Sequence, residues 1–184
     1  MINHISIAVN DPEKVANALA EIWDGMVFPF PPAPGSFFVI ANDGKGSAVE
    51  VTPAGTVLIP GEGLPSEGVS VVTTEEFGAR FVKSDFVPRY VATHLNISTR
   101  KNIEEIKEIA TREGWRVLVC DRDGLFELIE VWIEDQFLLE VMTPEHTARY
   151  VEITDPAFIE AAFADNMIPQ ATAGTMVENL NVIG

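Results

Sequence analysis

An order of elements that occurs twice is the feature that most narrows what this chain can fold into. HISIAV alternates Ile5, Ile7 and Val9 against His4, Ser6 and Ala8, the period of a half-buried strand. NDPEKVANALAEIW follows with helix-start chemistry. Asn10 or Asp11 can cap, Pro12 suits the first turn, and Glu13 favours the positive end of the dipole. Val15, Leu19 and Ile22 share one helical face. MVFPF, SFFVIA and SAVEVTP read as three strands, with NDGKG as a tight turn and Pro53 as a stop. From residue 91 the order returns. VATHLNIS alternates Leu95 and Ile97 against His94, Asn96 and Ser98. NIEEIKEIATREG is a helix with Ile103, Ile106 and Ala110 on one face and Gly114 at its end. WRVLVC, LFELIEVWIE and QFLLEVMTP are strands, separated by DRDG and EDQ. The repeat is about fifty residues long.

This pattern predicts an α+β chain with βαβββ modules at residues 1–54 and 91–145. Residues 55–90 form a connector that starts rich in Gly and Pro and carries an extra hairpin. Residues 146–184 form an extension whose TDPAFIEAAFADN segment repeats the Asp-Pro helix start and docks on the body or on a partner. The modules make one structural domain.

Charge and cysteine content remove several function classes. A net charge of −16 over 184 residues repels phosphate backbones and anionic lipid, so neither nucleic acid nor membrane is an expected partner. It also slows the approach of highly anionic substrates. The single cysteine, Cys120, excludes an intrachain disulfide framework and a cysteine-based zinc finger. It reads as a buried strand residue rather than a reactive thiol. No leader-like segment opens the chain and no apolar run approaches ~20 residues, so a soluble, cytoplasmic protein is expected.

Four polar residues occupy matched places in the repeat. His4 opens the first strand of the first copy and Glu50 lies in its last; His94 and Glu140 hold the same places in the second. Both pairs are 46 residues apart, in the similar contexts VEVTP and LEVMTP. Val49 and Val51 point opposite to Glu50, and Leu139 and Val141 opposite to Glu140. All four polar residues thus project from the face that does not pack on the helices. If the two sheets curl toward each other, they converge on one concavity. A charged residue in mid-strand between valines is unfavourable unless exposed or paired. Two imidazoles and two carboxylates on rigid strands suit Zn²⁺, Ni²⁺, Mn²⁺ or Fe²⁺. The alternative is an open sheet face on which Glu50 and Glu140 are merely solvated. His146, in TPEHTARY, has no counterpart in the first copy and reads as loop surface, with a place at the rim of the site as the alternative.

On these modules and four positions, residues 2–145 resemble the vicinal oxygen chelate superfamily, which includes glyoxalase I, extradiol dioxygenases, methylmalonyl-CoA epimerase and the fosfomycin and bleomycin resistance proteins. The resemblance implies two modules paired into a half-open mixed barrel around a divalent metal held by His4, Glu50, His94 and Glu140. This ligand set is most similar to that of bacterial-type glyoxalase I. The Arg and Asn that would there hold glutathione carboxylates are Ala8 and Ala54 in this chain, so a glutathione-linked substrate is not expected. Arg80, Lys83, Arg89, Arg100 and Lys101 are available for anion contacts elsewhere, though charged loop positions are usually just solvated.

The constellation favours a metal-dependent lyase or isomerase acting on a small oxygenated substrate. A Lewis-acidic metal acidifies a C–H beside a bound carbonyl and stabilises the resulting enediolate. A carboxylate at the metal edge moves the proton. Glu50 and Glu140 are equivalent by the repeat; the resemblance favours Glu140 as the base. Two alternatives remain: a metal-dependent dioxygenase, which needs open coordination sites, and a non-catalytic, resistance-type binding protein with an apolar pocket drawn from its 11 Phe and 3 Trp. A homodimer is compatible with either. No Ser-His-Asp arrangement, P-loop or dinucleotide fingerprint is visible.

Overall fold

The computed structural model describes residues 3–59, 79–91, 93–122 and 124–164. The Gly- and Pro-rich part of the connector and the end of the C-terminal extension lie outside the described residues. The chain divides into two compact units, Met1–Pro88 and Arg89–Gly184.

The first unit contains β1 (His4–Val9), α1 (Pro12–Trp23), β2 (Met26–Pro29), β3 (Phe37–Ile40) and β4 (Ala48–Pro53), the βαβββ order expected. Asp11 caps α1, accepting from the Lys14 amide at 3.1 Å, with Pro12 in the first turn. The four strands form one sheet in the order β1-β4-β3-β2, with β1 parallel to β4 and the other pairs antiparallel. Alternation then sorts the residues. Ile7, Val9, Val39, Val49 and Val51 are buried on the face that meets α1, where Val15, Leu19 and Ile22 are buried too. The opposite face carries His4, Ser6, Phe38 and Glu50. Beyond β4, β5 (Thr56–Ile59) pairs antiparallel with β6 (Arg80–Lys83), which supplies the connector's hairpin. The turn from β4 into β5 requires glycine: Gly55 has φ +84°, and a Cβ there would lie 2.7 Å from the Ser84 carbonyl oxygen.

The second unit repeats the scheme with β7 (Leu95–Ser98), α2 (Ile103–Glu113), β8 (Arg116–Arg122), β9 (Phe126–Ile133) and β10 (Phe137–Met142). Its sheet order, β7-β10-β9-β8 with β7 parallel to β10, matches that of the first unit. Asn102 and Glu105 form a capping box at the start of α2, and Gly114 closes it in the left-handed conformation. Ile97, Ile129, Val131, Leu139 and Val141 form the buried side of the sheet, with Ile106, Ile109 and Ala110 of α2 also buried.

Two local readings of the sequence are corrected. β8 does not stop at Cys120 but continues through Arg122, so the first residues of DRDG belong to the sheet rather than to a turn. TPEHTARY is not a loop. Thr143 caps α3 (Pro144–Ile153), with Pro144 in its first turn, and α4 (Pro156–Ala164) follows. Among the described residues no helix is long and apolar enough to cross a membrane.

Candidate functional site

Each module brings one imidazole beside one carboxylate. In the first, β1 and β4 run in parallel with Ser6 opposite Glu50 and His4 opposite Ala48. His4 thus stands one strand pleat from Glu50, and its Nε2 lies 3.7 Å from Glu50 Oε1. Ser6 Oγ donates a short hydrogen bond to Oε2 of the same carboxylate. In the second, Asn96 stands opposite Glu140. His94 precedes the first residue of β7, and its Nε2 lies 3.9 Å from Glu140 Oε2. Asn96 Nδ2 donates to that oxygen at 3.0 Å. In both modules the carboxylate is sheltered (side chains 11% and 14% exposed) and the imidazole open (55% and 50%).

These pairs fit a divalent metal in donor type and nearly in spacing. With metal–N and metal–O bonds of ~2.0–2.2 Å, neighbouring ligand atoms stand about 3 Å apart, so each pair needs a closure of less than about 1 Å. Ser6 and Asn96 orient the carboxylates in the way that outer-shell partners orient metal ligands. Among the described residues, no three His, Cys, Asp or Glu side chains gather closely enough to hold a metal.

The surroundings of the two carboxylates differ. Glu50 lies across from Phe38 on β3, and Phe38 in turn stacks on Phe30, with ring centroids 5.8 Å apart. Glu140 lies across from a second carboxylate, Glu130 on β9. Arg122 serves both: one guanidinium nitrogen, Nη2, donates to Glu130 Oε1 at 2.7 Å and to Glu140 Oε1 at 3.2 Å. Trp132 Nε1 donates to Glu130 Oε2 at 3.1 Å. Burial is the largest influence on Glu130 and opposes its ionisation, but Arg122, Trp132 and Cys120 together outweigh it and hold the carboxyl below the ordinary glutamate range. The Cys120 thiol is pushed up, first by burial and then by Glu130 beside it, which argues against a reactive thiolate. Cys120 is half-buried rather than buried.

A pH dependence follows. The Glu130 value is lower in the folded chain than in the unfolded one. Its stabilisation is therefore complete above pH ~4.3 and is lost as the pH falls through the folded-state value. Glu130→Gln should lower unfolding free energy by about 1–2 kcal/mol at pH 7, and the gap to wild type should narrow toward pH 3. Urea unfolding at both pH values checks this.

Arg122 is the residue that reading the sequence missed. Its signal was its parity with Cys120 on β8, hidden by the turn-like DRDG. His146 is also misplaced by the sequence. It is buried in the first turn of α3, not on a loop surface, and its Nε2 lies 3.8 Å from Glu127 Oε2. With Asp121, Phe126, Glu127 and Arg149 it lines a cavity of about 450 Å³. Of the proposed anion contacts, Arg89 pairs with Asp135 at 3.4 Å, and Lys83 lines a cavity of about 340 Å³ with Pro53, Ala54 and Phe81. Neither cavity is lined by His4, Glu50, His94 or Glu140.

No family profile and no curated protein match this sequence. Solved structures do. The fosfomycin resistance protein FosX from Listeria monocytogenes, in its monoclinic form at pH 6.5, matches at 13% identity and a TM-score of 0.50, over 83% of this chain and 97% of that one. The same protein complexed with Mn(II) and a sulfate ion matches at 14% identity and a TM-score of 0.49, over 82% and 97%. A glyoxalase family protein from Bacillus anthracis matches at 11% identity and a TM-score of 0.48, over 78% and 93%. At these identities the likeness speaks for the fold alone. The chain thus shares the fold of FosX from Listeria monocytogenes, and its structural neighbours, FosX and glyoxalase family proteins, are members of the vicinal oxygen chelate superfamily.

Proposed function

We propose that His4, Glu50, His94 and Glu140 hold one divalent metal and that the chain is a metal-dependent lyase or isomerase of small oxygenated compounds. The observation that carries this reading is the recurrence of one geometry. An imidazole nitrogen stands 3.7 or 3.9 Å from a sheltered carboxylate oxygen, at equivalent positions of two copies of a module. A two-donor pair is an incomplete set for such an ion, which takes four or more ligands; the two pairs together would offer four donors. When bound, the metal would act as a Lewis acid toward a substrate carbonyl.

The chain's own groups supply the rest. Glu140 accepts the proton from the carbon next to that carbonyl and returns it at a second position. Asn96 Nδ2 and Arg122 fix the carboxylate in place for this transfer. Glu50 would help to hold the metal. Ala8 and Ala54 offer nothing to a glutathione carboxylate, and the Phe38 side of the first module suits an apolar substituent better. That same aromatic group, Phe30, Phe38 and Phe81, favours a second reading, metal-independent binding of an apolar ligand.

The test is exchange of substrate carbon-bound hydrogen in D₂O, followed by NMR, with simple thiohemiacetals and 2-oxo acyl compounds. The chain reconstituted with Mn(II) or Zn(II) should catalyse exchange, and Glu140→Gln should lower the rate at least ~100-fold. Exchange that is absent throughout the panel, with apolar ligands still bound in chelator, would replace the enzyme reading with the binding one.

A further inference from the structure

We propose that the cavity of about 450 Å³ beside His146 binds a small protonated amine with an apolar body. Asp121 and Glu127 meet its charge, and His146 accepts one of its N–H groups. The lining residues all belong to the second unit, and none of them serves the proposed metal site. Alternation along β8 and β9 puts Asp121 and Glu127 on the side of the sheet that carries buried Ile129 and Val131, away from Arg122 and Glu130.

Register creates the charge imbalance. Asp121 stands directly opposite Glu127 at the turn end of the β8–β9 pair. Like charges so placed repel each other. Among the described residues neither carboxylate has a lysine or arginine partner. Asp121 Oδ1 accepts from the Gly124 amide at 2.8 Å, and Glu127 faces the His146 imidazole at 3.8 Å. Glu145, in the first turn of α3, adds a third carboxylate to the lining, where the helix dipole already favours it. The guanidinium of Arg149 is committed elsewhere. It donates to the Leu125 carbonyl and to Glu152, both at 2.8 Å. A net charge of −16 adds to the attraction for a cation.

His146 gives an independent sign of a ligand. Its side chain is only 9% exposed, and its Nδ1 has no hydrogen-bond partner among the described residues. Glu127 lies on the Nε2 side, which favours the proton on Nε2 and leaves Nδ1 a bare acceptor. A buried acceptor without a donor is costly. An ammonium N–H is a donor whose charge also satisfies the two carboxylates. A quaternary cation has no such donor, and among the described residues no three ligating side chains gather closely enough for a metal. Ile103, Leu125 and Phe126 supply the apolar wall. Tyr150 meets the Phe126 ring edge-on, with centroids 5.3 Å apart, and the Arg149 bond to Leu125 ties the turn to α3. The pocket is thus preformed.

The experiment is isothermal titration of the full chain, in chelator, with 2-phenylethylammonium, its N,N,N-trimethyl analogue and 3-phenylpropionate. Wild type should bind the primary ammonium with Kd below ~1 mM. It should bind the trimethyl analogue at least ~5-fold more weakly and the carboxylate not at all. Asp121→Asn and Glu127→Gln should each weaken binding of the primary ammonium roughly fivefold. His146→Phe should remove the preference for it over the trimethyl analogue, a change that loss of packing alone would not produce. Circular dichroism verifies folding; if His146→Phe does not fold, the two carboxylate variants decide. No binding of 2-phenylethylammonium at ~10 mM, or undiminished binding in folded Asp121→Asn and Glu127→Gln, would overturn the inference. So would equal affinity of wild type for the trimethyl analogue or for the carboxylate. None of these results bears on metal binding, which the chelator removes.

Discussion

Glu50→Gln should lower Mn(II) affinity by roughly 100-fold or more and leave the metal-free chain as stable as wild type, or more so. Glu50 is sheltered in β4, and its known partners are one serine hydroxyl and one open imidazole. In a chain of net charge −16, a buried carboxylate with so few partners is a burden to folding. Glutamine keeps the shape and can still accept from Ser6, but it removes the charge that a metal needs. Loss of metal together with loss of stability would instead mark Glu50 as a structural residue. Isothermal titration with Mn(II) and thermal unfolding in chelator separate the two.

Leu139→Ala should cost about 3 kcal/mol of folding stability with a much smaller effect on metal affinity wherever the protein is folded. Leu139 is fully buried in β10, opposite Leu95 on one side and Val131 on the other. It neighbours Glu140 in sequence yet points to the opposite face. Truncation removes three heavy atoms from a packed layer and leaves a cavity between two strands that cannot easily collapse. The urea midpoint should fall with an unchanged slope, since the native surface barely changes. The contrast between positions 139 and 140 tests the alternation on which the site depends.

Side-chain parity and the repeat made much of this molecule readable in advance. Val49, Glu50 and Val51 could be sorted to faces from the alternation alone, and the equal 46-residue spacings placed His4 near Glu50 and His94 near Glu140. The helix caps at Asp11 and Asn102 are local chemistry and were equally legible. What escaped depends on pairing between strands. Nothing local says that Glu130 faces Glu140, because the register of β9 on β10 is set by their turn and by the buried layer beneath. Without that pairing, Arg122 had no visible reason to be anything but a turn charge. His146 escaped for a simpler reason. Thr143-Pro144-Glu145 is a helix start, but it directly follows a strand, where TPEHTARY reads as a loop.

Metal stoichiometry tests the central claim most directly. The chain would be stripped with chelator, reconstituted in turn with Zn²⁺, Ni²⁺, Mn²⁺ and Fe²⁺, dialysed, and analysed for bound metal per chain. One ion per chain, lost in both His4→Ala and His94→Ala, is the predicted result, because it requires both pairs to serve the same ion. Two ions per chain, with each histidine variant losing only one, would show two independent sites. No ion with any of the four metals would contradict the account outright.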